Sequence, residues 1–244
     1  MQLLDAVPFR FDQAGPYEAQ LIIDVGYDRR HSALSLLISR DRDKKPDFCI
    51  VSDIQVKADH QHEFINPKVL TDHIVRLFKK ILRRHSVPIE SLLVLRDGQF
   101  CGQERQGIDN AVASLIDKKK FAREIRVDVA DFRKDSLKAV RLWEVNENTG
   151  TAENPLDGRA VQLNDKMVVV TSTGAATLHQ GTAQPFMIVG NGGCSRLIDA
   201  AQATFAGSQL NWSSPRVAQR LPLNAKRADE ELKARADQEI KRFR

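Results

Sequence analysis

The apolar residues of this chain come in two rhythms. Short unbroken runs, QLIIDVG (20–26), SALSLLIS (32–39) and FCIVSDIQV (48–56), suit strands covered on both faces of a sheet. The polar turns YDRRH and RDRDKKPD separate them, so the three runs predict an antiparallel meander. From 67 the spacing changes. Leu70, Ile74, Leu77, Phe78 and Ile81 recur at three and four residues, which predicts a helix over 67–85, with Asn66 as its cap and Pro67 at an early position. A strand at 91–96, a helix near 108–118 (Ile108, Val112, Leu115, Ile116) and a strand at 124–129 follow. The second half predicts strands near 137–145, 166–172 and 185–190, then a helix near 195–206 after the turn GNGGC. A last helix over 225–243 carries Ala225, Ala228, Leu232, Ala236, Ile240 and Phe243 on one side. Residues 146–158 (NENTGTAENPLDG) form the most polar stretch and read as a loop. Residues 1–18, with Pro8 and Pro16, read as a connector before one domain over 19–244.

Three meandering strands followed by helix, strand, helix and strand make an α/β chain. Its sheet is mixed, an antiparallel start continued by parallel strands and flanked by helices. That is the layout of the RNase H-like fold. The 244 residues suffice for one large domain or two small ones. No apolar stretch approaches the ~18–20 residues of a membrane span, and acids and a proline make the N-terminus a poor signal peptide. Cys49, Cys101 and Cys194 are odd in number and lack CxxC spacing. They argue for a reducing, cytoplasmic setting and against a zinc ribbon.

Charge narrows the partners. The formal net charge is +5 with a sequence pI near 9.2. Lys79, Lys80, Arg83 and Arg84 cluster on one predicted helix, and Lys118, Lys119, Lys120, Arg123 and Arg126 cluster further on. Such clusters suit phosphate backbones as well as a solvated face. Aromatic residues make up only 6%, so backbone contacts rather than base stacking would dominate any nucleic-acid binding.

Three acids stand where burial makes them costly. Asp24 ends the run LIID and Asp97 ends LLVLRDGQF before Gly98. In an RNase H-like sheet the first and fourth strands are neighbours, so these carboxylates would meet at one edge. The plainer reading of Asp97-Gly98 is a turn. Asp229 lies on or beside the apolar stripe of the last helix. A carboxylate buried there costs several kcal/mol unless it is paired or binds a cation, on the order expected for an unpaired buried charge. Three converging carboxylates raise one another's pKa unless a cation neutralises them. Mg2+ or Mn2+ would suit such oxygen ligands. Two such ions ~4 Å apart can promote in-line phosphodiester hydrolysis.

Read with their neighbours, these positions resemble the PIWI domain of Argonaute proteins. The resemblance runs from AVPFRF (6–11) through IIDVGYD (22–28) and LLVLRDGQF (92–100) to TSTGAATLHQGTAQPFMIV (171–189) and LNWSSPRVAQRLPLNAKRADEEL (210–232). It implies the RNase H-like fold and a guide-directed endonuclease that cuts a target strand by a two-metal-ion mechanism. It also implies Asp24, Asp97 and Asp229 as catalytic metal ligands. Glu63, in HQHEFINP on a loop before the helix, would complete the set; its other reading is an exposed loop acid. His179, Gln180, Arg216, Arg220 and the terminal Arg244 are candidates for contacts with guide or target, RNA or DNA. Trp212 reads as a core residue, and Ser213 and Ser214 as a polar loop. No stretch suits the family's MID or PAZ domains, so the resemblance implies an excised domain or a split protein with a separate MID/PAZ polypeptide. A prokaryotic defence role is the family's implication. Two alternatives stand: a catalytically silent guide- and target-binding module, and another RNase H-like nuclease of the resolvase or transposase kind.

Overall fold

The computed structural model describes residues 15–26, 30–40, 46–58, 63–134, 140–172, 184–210 and 220–242. Most of the connector, Asp59, His60, His62, His179, Gln180, Trp212, Ser213, Ser214, Arg216, Phe243 and Arg244 lie outside them, as do the side chains of Arg84 and Ile240. In chain order the elements are β1 (Ala19–Val25), β2 (His31–Ile38), β3 (Asp47–Gln55), β4 (Lys57–Ala58), β5 (Glu63–Phe64), α1 (Pro67–Ile81), a 3-10 turn (Leu82–Arg84), β6 (Ile89–Asp97), α2 (Gly102–Asp117) and β7 (Phe121–Arg133). Then come β8 (Glu144–Val145), β9 (Ala152–Glu153), β10 (Ala160–Asn164), β11 (Met167–Val170), β12 (Phe186–Val189), α3 (Leu197–Gln209) and α4 (Leu223–Arg242).

Among the described residues, eight strands form one mixed sheet in the order β10-β11-β12-β7-β6-β1-β2-β3. β1 pairs with β6 and β6 with β7 in parallel; β2 and β3 continue the meander antiparallel on one side, and β12, β11 and β10 do so on the other. The expected neighbourhood of the first and fourth strands is therefore present. Both faces are covered, which explains the unbroken apolar runs. Leu21, Ile23, Leu34, Leu36, Leu92 and Val94 pack toward α1 and α2. Ile22, Leu93 and Leu95 face the opposite way, toward α3, while Ala33 and Leu37 pack with Leu223, Ala228 and Leu232 of α4.

Local chemistry sets several boundaries. The Asn66 side chain accepts from Lys68 N at 3.0 Å and Val69 N at 3.4 Å, with Pro67 opening α1, as its sequence suggests. α2 begins six residues before the expected start because its first turn, GQERQG, has no apolar stripe to reveal it. β7 runs to Arg133 rather than stopping at 129. Its inner acids hide the pattern: Asp128 and Asp131 are 1% and 0% exposed. Asp128 accepts from the Tyr17 hydroxyl at 2.7 Å and from the Ser195 N–H at 2.6 Å. Asp131 accepts from Phe100 N–H at 3.1 Å and Asn191 Nδ2 at 2.6 Å.

The expected strand at 137–145 reduces to β8 among the described residues, with Val140 to Trp143 irregular. The expected loop at 146–158 instead contains β9, which pairs with β8. β10 is exposed along its whole length; a solvated edge strand has no apolar run to announce it.

Candidate active site

The parallel register of β1 and β6 aligns Ile23 with Arg96, so the next residue on each strand, Asp24 and Asp97, comes to one edge of the sheet. Between β6 and β7 the register aligns Asp97 with Phe132, which brings Lys134, just past the end of β7, to the same edge. Gly98 then turns the chain away with φ +90°, a backbone that a residue with a Cβ adopts only under strain. Its N–H donates to the Phe132 carbonyl at 2.9 Å. The LRDG motif thus ends a buried strand and brings its carboxylate to the carboxyl end of the parallel strands, where open α/β sheets place their sites.

The third carboxylate arrives on α4. Leu223, Ala228 and Leu232 bury one stripe of this helix, and Asp229 sits beside that stripe with 21% of its side chain exposed. Polar contacts fix the helix against β3. Arg235 Nε donates to Ser52 Oγ at 2.8 Å, Ser52 Oγ donates to Glu231 at 2.9 Å, and Arg235 Nη1 pairs with Asp53 at 3.1 Å.

All three expected aspartates converge on one group, the ammonium of Lys134. Its Nζ lies 2.5 Å from Asp97 Oδ2, 3.6 Å from Asp229 Oδ1 and 3.7 Å from Asp24 Oδ2. Lys233, one turn along α4, adds a second cation to Asp229 at 2.6 Å. The Lys134 carbonyl accepts from Arg220 Nη1 at 2.8 Å and Gln184 Nε2 at 3.3 Å. Arg220, expected among nucleic-acid contacts, thus lies at the border of the cluster.

The electrostatics follow from that packing. Burial, then the negative charge of Asp97, push the Asp24 carboxyl well above its usual range, against the pull of Lys134. Burial alone would lower Lys134; Asp24, Asp97 and Asp229 outweigh it and hold the ammonium above its ordinary value. Among the described residues, Asp24 Oδ2 is buried without a hydrogen-bond partner, the Lys134 ammonium standing 3.7 Å away. A buried carboxylate oxygen left this way, beside two more carboxylates, fits the oxygen-donor demand of Mg2+ or Mn2+. Among the described residues, however, no three His, Cys, Asp or Glu side chains close into a ready metal cage; the aspartates turn on the lysine.

Glu63 does not lie in an irregular loop. It opens β5, which pairs with β4 in a short hairpin. A buried pair anchors that hairpin beside the site. Arg96 and Glu104 are 5% and 0% exposed and meet at 3.4 Å. Arg96 Nη2 and Cys101 Sγ each donate to the Glu63 carbonyl at 3.4 Å. Glu104 accepts from Ile65 N–H at 3.0 Å and Cys101 N–H at 3.3 Å. Arg96 thus ties the Asp97 strand to the Glu63 hairpin. Sequence reading missed Lys134 and Glu104. Extending β7 through Phe132 would have found the first; the second lies in the turn of α2 that lacks an apolar stripe.

No family model matches the chain, and no curated protein does. Solved structures do match it. One is Clostridium butyricum Argonaute bound to a guide DNA and a 19-mer target DNA, at TM-score 0.67 and 18% identity, covering 91% of this chain and 27% of that one. Another is Marinitoga piezophila Argonaute in complex with a 5′ OH guide RNA, at TM-score 0.54 and 16% identity, covering 87% and 29%. The chain spans less than a third of the length of these Argonautes and shares the RNase H-like fold of their PIWI region.

Proposed function

We propose that this chain is a metal-dependent endonuclease that hydrolyses a phosphodiester of a target strand paired to a nucleic-acid guide. The observation that carries the reading is the convergence of Asp24, Asp97 and Asp229, drawn from β1, β6 and α4, on a single cationic position. These three would hold Mg2+ or Mn2+. Bound there, the cations would lower the pKa of an attacking water and stabilise the leaving oxygen. Asp24, whose buried Oδ2 has no hydrogen bond among the described residues and whose carboxyl is pushed well above its usual range, is the ligand least able to remain ionised without a cation. The hairpin held by Arg96 and Glu104 would present Glu63 as the fourth acid, and the product ends would be a 5′ phosphate and a 3′ hydroxyl.

The fold likeness to two Argonautes solved with guide strands supports nucleic acid as the partner, as does the net charge of +5. His179, Gln180, Arg216, Arg220 and Arg244 are the proposed contacts to the strands. Because the chain matches under a third of each Argonaute, we assign guide capture by MID and PAZ functions to a further polypeptide or chain segment.

One observation favours a second reading, a module that binds guide and target without cutting. Lys134 already neutralises part of the cluster, and a permanent ammonium there would make the site silent. A labelled target offered with 5′-phosphorylated DNA or RNA guides and Mg2+ or Mn2+ separates the two. It is run with and without the polypeptide that co-purifies from the native source. Guide-directed cutting that falls by about a thousandfold or more in Asp97→Ala supports the enzyme, on the scale of losing a metal ligand. Duplex binding without cutting in every combination supports the silent module. Structure-specific cutting that ignores the guide would point to a resolvase-like nuclease instead.

A further inference from the structure

We propose that Lys134 is an internal counter-ion of the carboxylate cluster that leaves it when a divalent cation is taken up, so that lysine and metal compete for the same three acids. This inference rests on the reading of Asp24, Asp97 and Asp229 as metal ligands and assigns a residue outside that set.

Lys134 is placed for this role by its own backbone. It directly follows β7, whose register with β6 is fixed as far as Asp97 and Phe132, and its carbonyl is held by Arg220 and Gln184. Its side chain is only 14% exposed. An ammonium so enclosed needs the acids as much as they need it, because an unpaired buried charge of either sign is strongly disfavoured. The three distances are unequal. Lys134 makes one close contact with Asp97 at 2.5 Å and stands off Asp229 and Asp24 at 3.6 and 3.7 Å. Among the described residues, Asp24 Oδ2 is left without a hydrogen bond. One monovalent donor with three N–H groups therefore leaves an oxygen of the deepest acid without a hydrogen bond. A divalent cation carries twice the charge and accepts several oxygens at once, and cannot share so small a space with the ammonium. The lysine stem is flexible, so its charge can leave while the backbone stays fixed. The consequence is a site that remains folded without metal, at the cost of weaker metal affinity.

The test uses the full chain stripped of metal with a chelator. Mn2+ is titrated calorimetrically into wild type, Lys134→Met and Asp97→Ala. Acetylation of lysines is followed in parallel by mass spectrometry, with exposed Lys79 as the internal control. Lys134→Met should bind Mn2+ about tenfold or more tightly than wild type, as removal of a nearby like charge in a partly buried site requires. Acetylation of wild-type Lys134 should rise several-fold, roughly in proportion to its release to solvent, between chelator and saturating Mn2+, while Lys79 stays constant. Equal or weaker Mn2+ binding by Lys134→Met overturns the proposal and leaves the metal assignment standing. So does Lys134 labelling that stays at its chelator level in saturated wild type. If neither wild type nor Lys134→Met binds Mn2+, the metal assignment falls and the proposal falls with it. Should Lys134→Met fail to fold, the wild-type labelling decides.

Discussion

At the scale of single residues, Asp24 carries the sharpest conflict between stability and use. Its carboxyl is buried, faces Asp97 and is pushed well above the usual carboxylate range. The folded chain therefore keeps a proton on Asp24 at pH values where the unfolded chain has released it. The sign follows: this residue's contribution to stability is greatest below the ordinary carboxylate range. It declines as pH rises through the window up to the raised value. In chelator, the melting temperature should fall across that window, and Asp24→Asn should remove that part of the slope. At neutral pH the variant should melt roughly 2–4 °C higher, the shift that about 1 kcal/mol produces at this chain length, while losing metal-dependent cutting. A variant that melts lower than wild type in calorimetry would show that Lys134 compensates Asp24 fully. Asp24, Asp97 and Asp229 were legible in the sequence because acids interrupt apolar runs. Lys134 was not, because a lysine past a strand end looks like any solvated terminus until its three partners are known.

The elements succeed or fail in the sequence according to how one-sided their surroundings are. β1, β2, β6 and α1 pack on a core and carry an unmistakable rhythm. β10 lies on an exposed edge and the first turn of α2 is polar, so neither has one. Glu104 in that turn is nonetheless fully buried, since it serves the Glu63 hairpin rather than the core. The α1–α2 contact depends on a small residue. A Cβ on Gly107 would stand 2.8 Å from the Pro67 carbonyl oxygen and 3.1 Å from Pro67 Cα, so backbone would have to move. Gly107→Ala should destabilise the chain by about 1–3 kcal/mol, as overpacking does, despite the better helix propensity of alanine, worth about 1 kcal/mol. Urea denaturation measures it; a stabilised variant would mean that the two helices separate easily. Because Pro67 follows the Glu63 hairpin closely, the same clearance also sets where that hairpin can sit.

Only the whole molecule assembles the site. Residues 24, 97, 134 and 229 come from β1, β6, the end of β7 and α4, and the meander, the parallel crossovers and the last helix must all be in place before the four charges meet. The order of elements was enough to expect this edge of the sheet, since the first and fourth strands are neighbours in that layout. The ammonium at its centre had no such signature in the order of elements. The chain matches under a third of each Argonaute, and among the described residues Asp24, Asp97 and Asp229 meet around Lys134. If this cluster holds divalent cations, anomalous scattering from crystals soaked in Mn2+ will locate them. Anomalous peaks are expected between the carboxylates of Asp24 and Asp97, with the Lys134 ammonium moved off Asp97. Crystals saturated with Mn2+ that lack such a peak, with Lys134 still bound to Asp97, would contradict the metal assignment.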